Sequence, residues 1–157
     1  MGEVFFYHLT RQPLEPTLRV ILEKSLAQGW RVAVRAHDDS LLDRLDQQLW
    51  LIPEDGFLPH GRAGGPQDAD QPVLLTPDRT AANRPDAVVS VAGAEIGADE
   101  AALLTRASIL FDGQDAAAVE AARAQWRRLT AAGIGAVYWS DASGRWEEKS
   151  RSPARAN

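Results

Sequence analysis

The side chains that could do chemistry in this chain are few and scattered. Histidines stand at His8, His37 and His60, far apart and with no i, i+4 pair. There is no cysteine. That removes thiolate metal sites, disulfides and Cys nucleophiles together, and leaves a zinc site without its usual ligands. Asp38, Asp39, Asp43 and Asp46 crowd one short stretch. They could supply a metal or an acid–base pair, but carboxylates at a helix start are favoured by the dipole alone. Capping is therefore the plainer reading. No serine sits in a G-x-S-x-G elbow. Gly61, Gly64 and Gly65 lack the spacing of a phosphate-binding loop, and no G-x-x-x-x-G-K-[ST] occurs. The residues offer no catalytic constellation, no metal site and no cofactor site.

The elements that would position these side chains read as alternating strands and helices. Val4 to Leu9 is a short apolar run suited to a buried strand. The next residues are Thr10, Arg11, Gln12 and Pro13, so no glycine fingerprint follows the strand. Pro16 can open a helix. Leu18, Ile21, Leu22 and Leu26 then recur at helical spacing, and Gly29 suits the cap beyond its end. Trp30 to Ala36 reads as a second strand. Asp38, Asp39 and Ser40 form an N-cap cluster before a stripe of Leu41, Leu42, Leu45 and Leu49 that stops at Pro53. Strand–helix–strand–helix order implies parallel pairing and right-handed crossovers.

Further along, Gly56 to His60 reads as a short apolar turn-strand and Gly61 to Asp70 as a polar loop. Short strands are expected at Val73–Thr76, Ala87–Val91, Ile109–Phe111 and Ala136–Trp139. A short helix is expected over Asp99–Arg106, and a long Ala-rich one over Gln114–Ala132, ended by Gly133. Arg145 to Glu148 can pair back as an edge strand. The expectation is a single three-layer, Rossmann-like α/β domain with a mostly parallel sheet, covering residues 1–148. Residues 149–157 are polar and read as a disordered tail.

Composition narrows the function. The chain has 157 residues and a net charge of −5. A globally acidic protein is a poor general nucleic-acid binder. No apolar run approaches the ~18 residues of a membrane span, and the N-terminus does not read as a signal peptide, so a cytoplasmic location is expected. The charge is split: residues 1–112 carry 10 basic and 17 acidic side chains, whereas residues 113–157 carry 7 and 5. Five tryptophans are present, none among the first 29 residues.

The long helix is where that asymmetry becomes specific. At about 100° per residue, Val119, Ala122, Trp126 and Leu129 form the core stripe. Arg123 and Arg127 fall on one shoulder of it, beside Trp126, and Arg128 points away. On the earlier helix, Trp50 lies off the leucine stripe, in the last turn. Exposed aromatics near arginine are enriched at binding sites. An apolar pocket rimmed by arginine suits an acidic peptide with an aromatic anchor and a free carboxylate. Core packing with a solvated arginine face stands beside that reading.

These residues carry a resemblance. RLDQQLW (Arg44–Trp50), FLPHGRAG (Phe57–Gly64), the Arg123–Trp126–Arg127 helix and its AAG turn resemble the chi subunit family of bacterial DNA polymerase III. The FFYHL strand and GWRVAVRA before DDS are similar too, so the resemblance runs over about residues 3–147. It implies a Rossmann-like fold without nucleotide binding or catalysis. It also implies an accessory subunit of the clamp-loader complex. Such a subunit pairs with the psi subunit and binds the acidic, Phe-ending C-terminal tail of single-stranded DNA-binding protein. The resemblance assigns tail contacts to Trp50, Arg123, Trp126 and Arg127, and Phe57, Leu58 and Pro59 are expected to complete an apolar pocket with Trp50. Two positions depart from the family pattern: Val119 stands where a basic residue is usual, and Trp126 replaces the more usual Tyr. A small α/β enzyme or nucleotide-binding domain is the alternative. Direct binding of single-stranded DNA is disfavoured by the charge.

Overall fold

In a computed structural model, described over residues 2–51 and 58–155, the chain forms one sheet with helices on both faces. Its elements are β1 (Glu3–Leu9), α1 (Leu14–Ala27), β2 (Val32–Arg35), α2 (Asp39–Trp50), β3 (Gly61–Arg62), β4 (Val73–Thr76), β5 (Ala87–Val91), α3 (Ala98–Leu103), β6 (Arg106–Asp112), α4 (Ala116–Ala131), β7 (Gly135–Ser140) and β8 (Glu147–Ser152). The eight described strands run in the order β3-β4-β2-β5-β6-β1-β7-β8. Every pairing is parallel except β7 with β8.

The order explains the layers. The chain first steps from β1 out through β2 towards β3, then returns through β5 and β6 to β7. Right-handed crossovers in opposite directions place their helices on opposite faces. Accordingly α1 and α2 bury Leu18, Leu22, Leu42, Leu45 and Leu49 against Val32, Val34, Leu75 and Val89. On the other face, α3 and α4 bury Ala101, Ala122 and Leu129 against Val4, Phe6, Ile109 and Ala136. Alternate residues of each strand feed the two cores, as the two-residue strand period requires. The expected three-layer α/β architecture is present.

Local chemistry sets the element ends. Asp38 caps α2 by accepting from the N–H groups of Ser40 and Leu41, and Asp115 caps α4 through Ala117 and Ala118. α1 starts at Leu14, two residues before Pro16. Pro16 sits in the first turn, where the N–H it lacks has no intrahelical partner anyway. Gly133 has φ +88°, the left-handed conformation that ends α4.

Two segments depart from expectation. The polar stretch beginning at 149 is not a tail from its first residue: β8 extends through Ser152, pairing Tyr138 with Ser150 and Ala136 with Ser152. Its side chains are mostly exposed, so no apolar alternation betrays it. Main-chain bonds to β7 hold it. Beyond it, the Arg155 guanidinium donates to the carbonyls of Thr130 and Ala131 at the end of α4. The Gly61–Asp70 stretch likewise has structure. It begins with β3, and the Asp68 carboxylate accepts from the N–H groups of Gly64 and Gly65. Of the apolar turn-strand expected before it, Leu58 to His60 are not strand, and Pro53, Gly56 and Phe57 lie outside the described residues.

Candidate peptide-binding face on helix α4

Helix α4 packs on β6 and β7 and presents three side chains of the predicted site together. Trp126 is half-buried. Its ring meets Phe6 edge-on, with centroids 5.3 Å apart, and Tyr138 at 5.9 Å. Tyr138 stacks on Phe6 and touches Phe111, while its hydroxyl lies 2.7 Å from His8 Nδ1. Phe6, His8, Phe111, Trp126 and Tyr138 thus form one aromatic cluster under the helix. It is close-packed at Gly113, where a Cβ would lie 2.0 Å from the His8 ring. Tyr138 did not stand out in the sequence, because it reads as an ordinary strand residue, and His8 was weighed there only as a metal ligand.

Arg123 and Arg127 are both exposed beside this cluster. Burial raises the Tyr138 hydroxyl above its ordinary pKa, and the neighbouring Arg123 charge pulls it the other way. Arg123 therefore lies within electrostatic reach of the cluster. Among the described residues it makes no hydrogen bond or ion pair. Arg127 is paired with Glu120 at 3.3 Å, with both side chains well exposed; such a pair contributes ~0–1 kcal/mol. Arg128 does not simply point away. It donates to the Ile96 carbonyl and to Gln125 on the opposite shoulder of the helix. The core stripe is centred nearer Gln125, which is buried and accepts from the Ile96 N–H, than the wheel suggested.

Trp50 is not part of this face. It ends α2, in the other helical layer, and α2 packs mainly on α1, β3 and β4. Its ring lies against His60, tilted by 33° with centroids 4.1 Å apart. His60 is buried, with its two ring nitrogens 2.7 and 3.0 Å from the Leu58 and Asp46 carbonyl oxygens. Leu58 is buried in the α1–α2 core, so its side chain is not offered to a peptide. Pro59 is half-buried beside it, and Phe57 lies outside the described residues. A helical wheel fixes a side chain's direction about its own axis. It does not say on which face of the sheet that axis lies. The single pocket drawn from the sequence is therefore two separate surfaces.

The aspartates of α2 are structural. Asp39 and Asp43 hold Arg62 of β3, and Asp46 holds His60. Among the described residues no three His, Asp or Glu side chains converge as a metal site. A cavity of about 950 Å³ does open at the carboxyl ends of β1, β5 and β6, where α/β sheets commonly bind ligands. Several of its polar groups are already engaged, however. Asp112 accepts from Gln114, Asp115 caps α4, Gln114 donates to Thr10, and Arg11 donates to Ala142. No described helix is long and apolar enough to cross a membrane.

Comparison with known proteins then fixes the relationship. The family model for the DNA polymerase III chi subunit, HolC, matches residues 1–136. The chain belongs to the DNA polymerase III chi subunit family. DNA polymerase III subunit chi of Escherichia coli (strain K12) is 33% identical over 64 residues, 40% of this chain and 44% of that protein. The probable DNA polymerase III subunit chi of Rickettsia prowazekii (strain Madrid E) is 23% identical over 96 residues, 61% of this chain and 58% of that one. The matched stretches span about half the length of these relatives. Helix α4 and the Trp50 end of α2 both lie within the part that the chi family model covers, whereas Tyr138 falls just beyond it.

Proposed function

We propose that this protein is a non-catalytic accessory subunit of DNA polymerase III. On this reading it binds the acidic, Phe-ending C-terminal tail of single-stranded DNA-binding protein on the α4 face and joins the clamp loader through the psi subunit. Membership of the chi family supports the accessory role. The observation that carries the tail reading is Arg123, a guanidinium without a hydrogen-bond or ion-pair partner among the described residues, set at the edge of the Trp126–Tyr138 aromatic cluster.

The roles follow from chemistry. Arg123 pairs with the terminal carboxylate, bidentate where geometry allows. Arg127 exchanges its Glu120 partner for acidic residues upstream in the tail. The terminal Phe packs against Trp126. Because exposed ion pairs contribute little, the Phe anchor supplies much of the affinity, and micromolar binding corresponds to about −8 kcal/mol. Trp50 and Leu51, exposed at the end of α2, offer a second apolar surface in the other layer. It suits another subunit such as psi, so one protein can hold both partners at once.

The test is a titration with a peptide ending in acidic residues and Phe, against the same peptide lacking its final Phe. The full peptide binds and the truncated one loses most affinity. Equal binding by both, or unchanged binding to Arg123→Ala, overturns the reading.

A further inference from the structure

On the α1 side of the sheet, away from the α4 face, Arg106 begins β6 with its guanidinium over the Phe5 ring, 3.9 Å from the centroid, and 5.6 Å from that of Trp30. Its flat faces are therefore occupied by aromatic rings, while among the described residues its N–H groups have no hydrogen-bond or ion-pair partner. Nε is fully buried without one. A donor buried without an acceptor is costly, and an anion on the guanidinium edge relieves it. Cation–π contacts satisfy its faces, not its donors.

The surroundings point the same way. Arg106 lines a cavity of about 440 Å³ between the last turns of α1 and strands β1 and β6. Lys24, Tyr7, Ser108 and Trp30 line it as well, and none of its lining residues is acidic. Ser108 is 3% exposed, yet its hydroxyl has no hydrogen-bond partner among the described residues. The Tyr7 hydroxyl has none either. Burial raises its pKa, against the opposing pull of Arg106, so it remains a neutral donor at ordinary pH. The carbonyls of Lys24, Ser25 and Leu26, which would repel an anion at a helix C-terminus, already accept from Gln28, Gly29 and Trp30.

We propose that this cavity is a binding site for a small organic anion: a carboxylate or phosphate held by Arg106, Lys24, Tyr7 and Ser108, on a planar body lying against Trp30. The volume falls in the usual range for small-molecule sites, ~300–1,000 Å³. It is much larger than a bare phosphate needs, and an indole wall favours a flat ring. Guanidinium presented edge-on matches the two oxygens of either anion.

Isothermal titration of the full chain with three probes tests this: a nucleoside 5′-monophosphate, benzoate and inorganic phosphate. One or both organic probes bind saturably at one site and change tryptophan fluorescence; which of them binds more tightly separates phosphate from carboxylate. Inorganic phosphate binds at least tenfold more weakly than the better probe. Arg106→Gln lowers that affinity at least tenfold. Lys24→Met, on an exposed helix position, and Ser108→Ala lower it severalfold with little effect on folding, so the result does not depend on the Arg106 variant being stable. Arg123→Ala leaves it unchanged, which separates this site from the tail-binding face. No saturable binding of either organic probe, or binding indifferent to all three cavity substitutions, overturns the site. Phosphate binding as tightly as the better organic probe overturns the role of Trp30.

Discussion

The indole of Trp50 lies on the imidazole of His60, ring centroids 4.1 Å apart, in the helical layer opposite the one that carries Arg123. This arrangement predicts that an acidic tail bound at Arg123 does not depend on Trp50. Trp50→Ala is expected to leave tail-peptide affinity within about twofold of the parent, while Arg123→Ala lowers it roughly tenfold, the factor that 1.4 kcal/mol corresponds to. Fluorescence anisotropy of a labelled tail peptide reads both. A tenfold loss with Trp50→Ala refutes the two-surface arrangement.

Much of the fold could be read from the residues. Leucine stripes at helical spacing and short apolar runs identified α1, α2, α4 and the central strands, because those elements bury one face or both. Of β8, only the start could be read, as the edge strand expected over Arg145–Glu148; its extension through Ser152 could not. An edge strand with polar side chains on both faces is held by the main-chain ladder with β7, and a ladder leaves no pattern in side-chain type. The geometry of the candidate face was legible within one helix: Arg123, Trp126 and Arg127 do share a flank of α4. Combining it with Trp50 failed because layer assignment depends on the direction of each crossover, and that depends on strand order. Tyr138 and Arg106 escaped notice because what distinguishes them is the company they keep across the sheet.

Asp141 makes stability fall in acid. Burial pushes its carboxyl up, but the N–H groups of Gln12, Thr10 and Arg11 together outweigh burial and hold it below the usual carboxylate range. Since the folded pKa is the lower one, the stabilisation is full above the unfolded value, ~3.9, and is lost as pH falls through the folded value. Asp141→Asn keeps the size but removes acceptors from the turn after β1, costing about 1–3 kcal/mol at pH 7. Urea midpoints at pH 7 and pH 3 are expected to differ less in the variant than in the parent.

Glu100 and Arg35 form a fork, the arginine buried and the glutamate partly so, with oxygens 2.7 and 2.8 Å from the two guanidinium nitrogens. Burial pushes the Glu100 carboxyl up. The Arg35 hydrogen bonds, the Gly97 N–H and the charges of Arg35 and Arg79 bring it below its ordinary value. Removing one charge strands the other, so Glu100→Gln is expected to cost ~3–5 kcal/mol. The neighbouring Arg79–Asp99 pair is exposed, and Asp99→Asn is expected to leave the urea midpoint nearly unchanged. Similar losses from both variants refute the distinction.

Ending the chain after Trp146 removes β8 and leaves the ladder groups of β7 unpaired. An open β7 edge invites pairing with a second chain. The truncated protein is expected to lose about 2 kcal/mol, near 6 °C for a domain of this size, and to self-associate at micromolar concentration. Calorimetry and light scattering read the two effects. A monomer with an unchanged melting temperature means that β8 stabilises nothing.

Val119 stands one turn before Arg123 on α4 and is half-buried against the aromatic layer. A lysine there keeps its stem along the apolar surface and reaches solvent with its ammonium, adding a third positive charge to the Arg123–Arg127 flank. Val119→Lys is expected to tighten tail binding by about 2–5-fold at low salt, in line with ~0.5–1 kcal/mol for an exposed charge contact. The gain shrinks as salt rises, because exposed charges are screened over ~8 Å at physiological ionic strength. The melting temperature controls for lost packing. Peptide titrations of parent and variant across a salt series read the difference directly. A gain that persists unchanged at high salt means the lysine acts through shape rather than charge, and no gain at any salt means the tail does not pass over this turn of α4.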